Sequence, residues 1–352
     1  MRYSPLYRED MREACSQQDV IESLAGKSIL LTGASGLIGS AVADLLLFIN
    51  QEKKADIRIF LAGRQRGRIE RRFEEYEPEK DYTFIPYAFD KTLMLPGKMD
   101  YVLHMAGIAN TKLYSSNPVE TGISAVVSTR NLLEMLRKQG EGRLLYLSSG
   151  EIYGKSEDLT EYREQDLGYI DHMNPRAAYP IGKRCAENLC VSYFDEYNVD
   201  CVIARPGHIY GPTMNYDDER ASSIFPIQAA SGQAIEMKSA GVQIRSYCYV
   251  WDAAVALLMI MMKGKVKEAY NISNPNSVVS IREMAEAFAK AAGVEIRFTN
   301  PFEAEKKGYN LMERSVLCSE KIEEIGFNGR YSMLEGAEHT IECLRYQRQE
   351  RI

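Results

Sequence analysis

The 352-residue sequence lacks the features of membrane, disulfide-stabilised and metal-binding proteins. Its longest apolar run, Ala253 to Met262, is about half as long as a membrane-spanning helix needs to be. The charged N-terminus has no apolar segment of the secretory type, so no secretory signal is predicted. The seven cysteines are scattered without a CxxC pair, which favours reduced thiols and a cytoplasmic location. The four histidines have no metal-binding spacing, so no metal site is expected.

An excess of positive charge is also missing. The net charge is −6 and the isoelectric point is near 5.5, so neither nucleic acid nor a membrane surface is expected as a partner. The arginine-rich run "GRQRGRIERR" is local and is interrupted by Glu70. Hydrophobic residues make up 45% of the chain and charged residues 26%, as in ordinary globular proteins. The length predicts one large domain with a smaller appendage, or two domains.

The sequence does contain an alternation of short apolar segments and helical patterns. The predicted strands lie in "SILLT", "DIRIFLAGR", "YTFIPYAFD", "MDYVLHMAG", "GRLLYLSSG" and "DCVIARPGHIYG". Helical patterns separate several of them, as in "VETGISAVVSTRNLLEMLRKQG" and "AYPIGKRCAENLCVSYFDEYN". Short buried strands separated by helices are typical of βαβ units. The predicted fold class is therefore α/β, a Rossmann-type doubly wound parallel sheet with a smaller C-terminal α/β substrate-binding domain.

Three glycines at three-residue spacing lie between the first strand and the first long helix, in "TGASGLIG". A tight turn needs glycine, and a pyrophosphate needs close backbone approach and the free N–H groups of a helix N-terminus. On the first strand of a doubly wound pattern, this spacing predicts a dinucleotide-binding turn. The alternative is three glycines in an ordinary turn. The residues predicted to bind the cofactor here are Gly33, Ser35, Gly36, Leu37, Ile38 and Gly39.

The end of the second strand bears on the choice between NAD and NADP. An acidic residue there would bind the ribose 2′-hydroxyl of NAD. The strand instead reads "FLAGR", with Ala62 and Gly63 at its tip and Arg64 just beyond. Arg64 can pair with a 2′-phosphate, which favours NADP over NAD. The alternative is that Arg64 stacks on the adenine or faces solvent.

Two further strand ends complete the predicted cofactor site. Asp90, after the third strand, is placed to meet the adenine. The run "HMAG" ends the fourth strand, where small residues allow close approach. The contacts predicted there are Met105, Ala106 and Gly107.

These features give the predicted domain boundaries. Residues 1–25 are expected to form a helical N-terminal extension. Residues 26–211 are expected to form the NAD(P)-binding Rossmann domain, which the apolar residues 242–272 rejoin. The more polar residues 212–241 and 273–345 are expected to form the substrate-binding domain.

The run "AYPIGKRCAE" places Tyr179 and Lys183 four residues apart at the start of a helix, and so on one face. A phenol is a poor base at its ordinary pKa of about 10, but a neighbouring ammonium favours the phenolate. The same lysine can hold the nicotinamide ribose. Such a pair occurs often by chance, but behind a glycine turn and the strand-end Ser149 it predicts a catalytic site.

These motifs resemble those of extended short-chain dehydrogenases/reductases, in the NAD-dependent epimerase/dehydratase group that acts on nucleotide sugars. The matching runs are "TGASGLIG", "DYVLHMAG", "LSSGEIYG", "YPIGK", "RPGHIYGP" and "GVQIRSYCYVWD". They cover residues 27–340. Within that group the chain is similar to UDP-glucuronate decarboxylases in "NPRAAYPIGKRCAE", "ARPGHIYGPTM" and "IRSYCYVWD".

The resemblance implies roles for single residues. Ser149, Tyr179 and Lys183 match the family's catalytic Ser/Thr, its base and its ribose-binding lysine. Arg245 matches an arginine near the sugar-nucleotide phosphates, and Arg314 is a second candidate for that role.

The resemblance also implies partners and two departures. The substrate would be a nucleotide sugar, the cofactor would contact Pro206, and related enzymes commonly form homodimers through helices like 120–138 and 178–197. His208, a predicted substrate contact, stands where many relatives have asparagine. Thr213 stands where the decarboxylases have arginine.

Glu151 separates the reactions that the resemblance allows. It matches a glutamate of decarboxylases and 4,6-dehydratases, both of which first oxidise the sugar at C4. The dehydratases place an aspartate just before it, where this chain has Gly150. A β-keto acid loses CO2 without such an acid, so the sequence fits a decarboxylase like those acting on UDP-glucuronate. The alternative enzymes are a 4,6-dehydratase, a 4-epimerase and a net NADPH-dependent reductase of a nucleotide-linked keto sugar. The non-enzymatic alternative is a dinucleotide-sensing or scaffold protein. For Glu151 alone, the alternative is an exposed turn residue.

Overall fold

The computed structural model describes residues 3–91, 93–156, 158–299 and 312–350. Their strands are β1 (Ser28–Thr32), β2 (Arg58–Gly63), β3 (Thr83–Pro86), β4 (Tyr101–His104), β5 (Arg143–Leu147), β6 (Asp200–Pro206), β7 (His208–Tyr210), β8 (Ile235–Met237), β9 (Ile244–Tyr249), β10 (Ala269–Ile272), β11 (Val278–Ser280), β12 (Ile296–Phe298) and β13 (Arg314–Ser315). Their helices are α1 (Pro5–Ala14), α2 (Gln18–Leu24), α3 (Leu37–Lys53), α4 (Arg66–Arg72), α5 (Thr111–Ser116), α6 (Pro118–Gln139), α7 (Ala178–Tyr197), α8 (Ala221–Ala230), α9 (Val250–Lys263), α10 (Ile281–Ala292), α11 (Glu320–Glu323) and α12 (Met333–Gln349). Short 3-10 turns lie at Gly150–Tyr153, Pro175–Ala177 and Pro275–Ser277.

Seven strands form the main sheet, in the order β3-β2-β1-β4-β5-β6-β10. Every pairing in this sheet is parallel. The residues of β1 are all buried, because helices cover both faces of the sheet. Ile29 and Leu31 join a core with α3 and α9, whereas Leu30 joins the core on the other face with α6 and α7. The predicted fold class is confirmed.

The strand order reverses between β1 and β4, which are neighbours. At such a switch point the connections leave in opposite directions and form a crevice at the carboxyl ends of the strands. The glycine turn follows β1, and the turn at residues 105–107 follows β4. Two of the predicted cofactor segments therefore lie at the same edge of the sheet.

A smaller mixed sheet is centred on β9, which pairs with β7, β11 and β13. Of residues 242–272, β10 pairs with the main sheet and α9 packs on it, but β9 lies in the smaller sheet. Apolar character could not reveal this, because β9 is as deeply buried as a strand of the main sheet. The remaining two-stranded pairing joins β8 and β12.

Helix α1 is tied to the rest of the protein by its first residues. Ser4 caps the helix by accepting a hydrogen bond of 3.0 Å from the Tyr7 amide, and Pro5 begins it. The hydroxyls of Tyr3 and Tyr7 both donate to the buried Asp44 of α3. In the part of the chain that the structure describes, no helix has the length and apolar character needed to cross a membrane.

Candidate active site

The turn after β1 brings backbone against backbone at two of its three glycines. Gly33 has a φ of +77°, and a Cβ there would lie 2.7 Å from the carbonyl oxygen of Met105. A Cβ at Gly39 would overlap the Gly33 carbonyl oxygen. Gly36 precedes α3 with no side-chain cap, and among described residues a Cβ there would meet only the Gly33 oxygen, at 3.3 Å. A phosphate can therefore approach the open N-terminus of α3, so these residues fit a dinucleotide.

His104, at the end of β4, links the two turns of the cofactor side. Its Nδ1 lies 2.8 Å from Thr32 Oγ1, and its Nε2 lies 2.9 Å from Ser128 Oγ. Thr32 Oγ1 also accepts a hydrogen bond of 3.1 Å from the Ala106 amide. Burial lowers the pKa of His104 to about 3, so its ring is neutral at physiological pH. Its role is to hold the end of β1 against the turn at residues 105–107.

Lys183, on α7, reaches the carboxyl end of β5. Its Nζ donates a 2.7 Å hydrogen bond to the Leu147 carbonyl and lies 4.8 Å from the centre of the Tyr146 ring and 6.0 Å from that of Tyr179. A Cβ on Gly107 would lie 3.6 Å from this Nζ, an ordinary van der Waals contact. Burial lowers the pKa of Lys183 to about 8. The ammonium is therefore still mostly protonated at neutral pH.

Two glycines set the position of the helix that carries Tyr179 and Lys183. A Cβ at Gly182 would lie 2.9 Å from the carbonyl oxygen and 3.0 Å from the Cα of Gly122, on α6. A Cβ at Gly122 would in turn lie 3.4 Å from the Ala178 carbonyl oxygen. Close packing of α6 and α7 thus depends on the small residue between Tyr179 and Lys183.

Tyr179 is 8% exposed, and burial raises its pKa. Hydrogen bonds with Ser149 and Tyr114 lower this pKa, and so does the charge of Arg220. The charge of Glu151 raises it further. Tyr114, on α5, stacks on Tyr179 with ring centres 4.2 Å apart and planes within 11°. The phenol therefore sits among two hydrogen-bonding hydroxyls and two charges of opposite sign.

Glu151, in the 3-10 turn after β5, is paired with an arginine. Arg176 Nη1 lies 3.1 Å from its Oε2, and Nη2 lies 3.4 Å from its Oε1. The side chains of Arg176 and Glu151 are 19% and 25% exposed, so the carboxylate is not a solvated turn residue. Ser149 Oγ accepts a hydrogen bond of 3.1 Å from the Glu151 amide. The Arg176 guanidinium also lies 5.7 Å from the centre of the Tyr114 ring, which links this ion pair to Tyr179.

Gly150 leaves little room for a longer side chain. A Cβ there would lie 3.2 Å from Leu317 Cδ1 and 3.3 Å from the carbonyl oxygen of Pro206, the buried last residue of β6. Leu317 belongs to a separate apolar cluster with Ile152 and its neighbours. An aspartate in place of Gly150 would have to displace part of this cluster.

The charges of two arginines act on His208. It lies on β7 beside Tyr247 of β9, with ring centres 5.6 Å apart. Burial lowers its pKa to about 3, and the charges of Arg245 and Arg220 act in the same direction. Its Nδ1 is buried and has no partner among the described residues. A neutral ring with a free nitrogen can bind a hydroxyl group of a ligand.

Arg245 is 3% exposed and is held by backbone carbonyls. Its Nη1 donates a 2.8 Å hydrogen bond to Ile244, and its Nη2 donates a 2.7 Å one to Met312. Burial lowers its pKa, and the charge of Glu151 opposes this. Within the described ranges no carboxylate forms an ion pair with it, so its charge is available to an anionic ligand.

Three predicted site residues lie apart from this cluster. Arg64 is exposed one residue beyond β2. Asp90 is exposed in a turn four residues beyond β3. Arg314, on β13, donates to the carbonyl of Thr160. In the described residues, no group of three or more His, Cys, Asp or Glu side chains could hold a metal ion.

Three residues that surround Tyr179 and Glu151 were not predicted from the sequence. Arg176 lies three residues before Tyr179 in the run that resembles the decarboxylases, so its spacing could have revealed it. Arg220 and Tyr114 stand outside every motif, and no local pattern marks them.

The chain is similar to known proteins in both sequence and fold. Residues 29–273 match the NAD dependent epimerase/dehydratase family. UDP-glucuronic acid decarboxylase 1 of Xenopus tropicalis is 30% identical over 274 residues, which cover 77% of this chain and 62% of the relative. UDP-glucuronic acid decarboxylase 6 of Arabidopsis thaliana is 32% identical over 261 residues, which cover 73% of this chain and 72% of the relative. The chain thus spans about three-fifths of the length of the first of these relatives.

A solved structure has the same fold. It is the UDP-glucuronic acid 4-epimerase of Bacillus cereus in complex with UDP-glucuronic acid and NAD. It is 20% identical, with a TM-score of 0.73, covering 91% of this chain and 99% of the epimerase. The family resemblance predicted from the motifs is confirmed, and the chain belongs to the NAD dependent epimerase/dehydratase family.

Proposed function

We propose that this protein is a nicotinamide-dependent decarboxylase of a nucleotide-linked uronic acid, with UDP-glucuronate as the leading substrate. The observation that carries the proposal is Glu151 held by Arg176 beside Tyr179, with a crowded glycine where a dehydratase would place an acid. Relatives named UDP-glucuronic acid decarboxylase support the same reading.

The cofactor would lie along the edge formed by the turns after β1 and β4. The open turn at Gly36 would receive the pyrophosphate, and Lys183 would hold the nicotinamide ribose. When bound, the cofactor supplies an acceptor for the hydride from sugar C4 and a donor that returns it. Asp90 and Pro206 are proposed contacts at its two ends.

The chain's own groups would move the protons of the first step. Tyr179 accepts the proton of the C4 hydroxyl, while Ser149 hydrogen-bonds the same oxygen. The positive charge of Lys183 favours the phenolate that accepts this proton. The resulting 4-keto sugar is a β-keto acid.

The second step breaks the bond between C5 and the carboxylate carbon. Its electron pair moves toward the C4 carbonyl, and CO2 leaves. C5 then takes a proton that comes from solvent, and Glu151 would relay it or organise the group at C6. Arg176 fixes the glutamate, while the buried charge of Arg245 is available to the nucleotide phosphates. Arg314 would have to leave Thr160 to act there as well.

The proposed cofactor preference is NADP over NAD. It is supported by the exposed Arg64 and by the lack of an acid at the tip of β2. Arg64→Asp should shift the ratio of NADP to NAD affinity by about tenfold or more toward NAD, because the new charge repels a 2′-phosphate. Calorimetric titration with both cofactors measures this ratio, and an unchanged ratio would show that Arg64 does not discriminate.

The exposed arginine also supports a second candidate, a net NADPH-dependent reductase of a nucleotide-linked keto sugar. Such an enzyme consumes its cofactor, whereas the decarboxylase regenerates it. Continuous loss of absorbance at 340 nm with stoichiometric product would establish the reductase instead.

The proposed assembly is a homodimer through α6 and α7, in a cytoplasmic protein. Val119 and Ile123 on α6 are 71% and 50% exposed, and Ile181 on α7 is 36% exposed, so apolar surface remains on these helices. All seven cysteines are free thiols, as a reducing compartment would keep them. Residues 212–241 and 273–345 are proposed to bind the sugar nucleotide.

Product analysis tests the proposed reaction. The purified protein with cofactor is incubated with a panel of nucleotide sugars that includes UDP-glucuronate, UDP-glucose and dTDP-glucose, and products are identified by mass spectrometry. The proposal predicts loss of one CO2 from UDP-glucuronate and no loss of water from the hexoses. Tyr179→Phe serves as the inactive control. Loss of water from a hexose, or no change of UDP-glucuronate beyond epimerisation, would refute it.

A further inference from the structure

A buried ion pair lies one helical turn beyond Lys183, and the steps described above do not use it. Glu187, on α7, and Arg205, on β6, are each 7% exposed. Arg205 Nε and Nη2 donate hydrogen bonds of 3.0 and 2.7 Å to the two carboxylate oxygens of Glu187. Such a bidentate pair fixes both the charge and the direction of the carboxylate. Buried pairs of this kind contribute little net stability, which points to a role other than holding the fold.

The Lys183 ammonium faces few groups that can carry a charge. Tyr179 and Glu187 lie on its own helix, Tyr146 faces it from β5, and His104 faces it from β4. Burial raises the pKa of both tyrosines, and His104 is neutral, so none of the three is charged at neutral pH. Glu187 is therefore the one carboxylate among the described residues that acts on this ammonium.

Arg205 binds both oxygens of the Glu187 carboxylate. The Lys183 Nζ donates to the Leu147 carbonyl, at 2.7 Å. Arg205 is fixed in turn by hydrogen bonds from its Nη1 to Tyr153 Oη, at 3.1 Å, and to the Glu164 carbonyl, at 2.6 Å. The ammonium thus feels the negative charge of Glu187, and among the described residues the Leu147 carbonyl is its only hydrogen-bond acceptor.

We propose that Glu187, oriented by Arg205, is a positioning residue that keeps Lys183 charged and free to bind the cofactor ribose and to act on Tyr179. The role of Lys183 in this statement rests on the proposed function. Burial lowers the pKa of Lys183 to about 8, and the charge of Glu187 opposes that fall. Without Glu187 the lysine would lose its proton close to physiological pH.

The direct test is the titration of Lys183 itself, which requires no sugar substrate. Protein labelled at the lysine ε-carbon is titrated by NMR in complex with its cofactor, and the Lys183 signal is assigned with Lys183→Met. Glu187→Gln should lower the midpoint by about one pH unit, since it removes one nearby buried charge. Glu187→Asp keeps the charge and should keep the midpoint. Glu196→Gln, which removes an exposed carboxylate from the same helix, is the matched control and should also leave it unchanged.

The same variants give a second readout in turnover. The pH at which kcat falls on the alkaline side should decrease together with the NMR midpoint in Glu187→Gln. It should be unchanged in Glu187→Asp. If Glu187→Gln does not fold because Arg205 is left unpaired, Glu187→Gln/Arg205→Gln removes both charges and should still lower the midpoint, by about half a unit. A folded variant of either kind with an unchanged Lys183 titration would overturn the inference. Failure of the wild type to act on any nucleotide sugar would instead count against the proposed function and leave the NMR result valid.

Discussion

Tyr179 is a buried phenol, and its proposed use as a base would depend on residues that oppose the effect of burial on its pKa. Burial raises its pKa, and Ser149, Tyr114 and Arg220 lower it. None of these three is adjacent to Tyr179 in the sequence. The reactivity of the residue is therefore a property of the assembled site, and the motif Tyr-x-x-x-Lys alone does not determine it.

Replacement of Tyr179 by phenylalanine tests the role of its hydroxyl. Tyr179→Phe keeps the ring stacked on Tyr114 and removes only the proton acceptor. Turnover should fall by about 10²–10⁴-fold, and cofactor affinity should be unchanged. Steady-state kinetics and calorimetry measure the two quantities, with Tyr169→Phe as an exposed control. A loss of about tenfold or less would mean that another group is the base.

At the scale of elements, the glycine turn and α3 form the part of the site that the sequence describes best. A strand, three glycines and a helix are contiguous, so their spacing reports their geometry. The positions of the strands and helices of the main sheet also follow from local pattern, because period and length are local properties. The placement of β9 does not follow from local pattern, because buried strands of different sheets have the same apolar sequence pattern.

Local sequence pattern also reveals only some of the residues that cluster around Tyr179 and Glu151. Ser149 and Lys183 belong to motifs and could be predicted. Tyr114 and Arg220 come from segments far away in sequence, and their approach depends on how α5 and the segment before α8 pack. Arg176 lies within a motif, but only the structure reveals its pairing with Glu151.

A substitution in the glycine turn tests the cofactor site. Gly36→Val places a β-branched side chain at the open start of α3, where a phosphate is expected. Cofactor affinity should fall by at least about tenfold, while thermal stability changes little, since few protein atoms surround the new group. Calorimetry measures the affinity, and Gly97→Val, in open surroundings, is the matched control. A folded variant with full affinity would show that the turn does not bind the cofactor.

At the scale of the whole molecule, buried acids connect the two ends of the chain. Asp10 of α1 accepts a hydrogen bond of 2.8 Å from Tyr249 and lies 2.7 Å from His339 Nδ1 of α12. Asp252 of α9 accepts hydrogen bonds of 3.0 and 3.2 Å from the amides of Arg330 and Tyr331. The N-terminal helix, α9 and the C-terminal helix therefore share one polar cluster.

This cluster makes stability depend on pH. Burial raises the pKa of Asp252 from 3.8 to about 7, and hydrogen bonding to Asp10 raises that of His339. Both groups bind their protons more tightly in the folded state than in the unfolded state. Each therefore contributes its full stabilisation at pH values below its unfolded pKa. That stabilisation is lost as the pH rises through the folded pKa. For Asp252, the free energy of unfolding decreases by an amount on the order of a few kcal/mol between about pH 4 and 7.

Substitution of Asp252 isolates that contribution. Asp252→Asn resembles the protonated acid, so the free energy of unfolding should fall less steeply between about pH 4 and 7 than in the wild type. Urea denaturation across this range measures the slope, with the exposed Glu338→Gln as control. Identical slopes in wild type and Asp252→Asn would contradict the account.

In the proposed reaction, oxidation at C4 precedes a separate step that needs Glu151. Single-turnover absorbance at 340 nm tests it, with saturating UDP-glucuronate, in the wild type, Glu151→Gln and the exposed control Glu161→Gln. The amide is nearly isosteric and leaves Tyr179, Ser149 and Lys183 in place, so C4 oxidation should proceed. The amide cannot transfer the proton of the later step, so that step should stall. A burst of reduced cofactor should persist in Glu151→Gln and decay in the other two proteins. If the burst decays and turnover proceeds at wild-type rates in Glu151→Gln, the later step does not need Glu151.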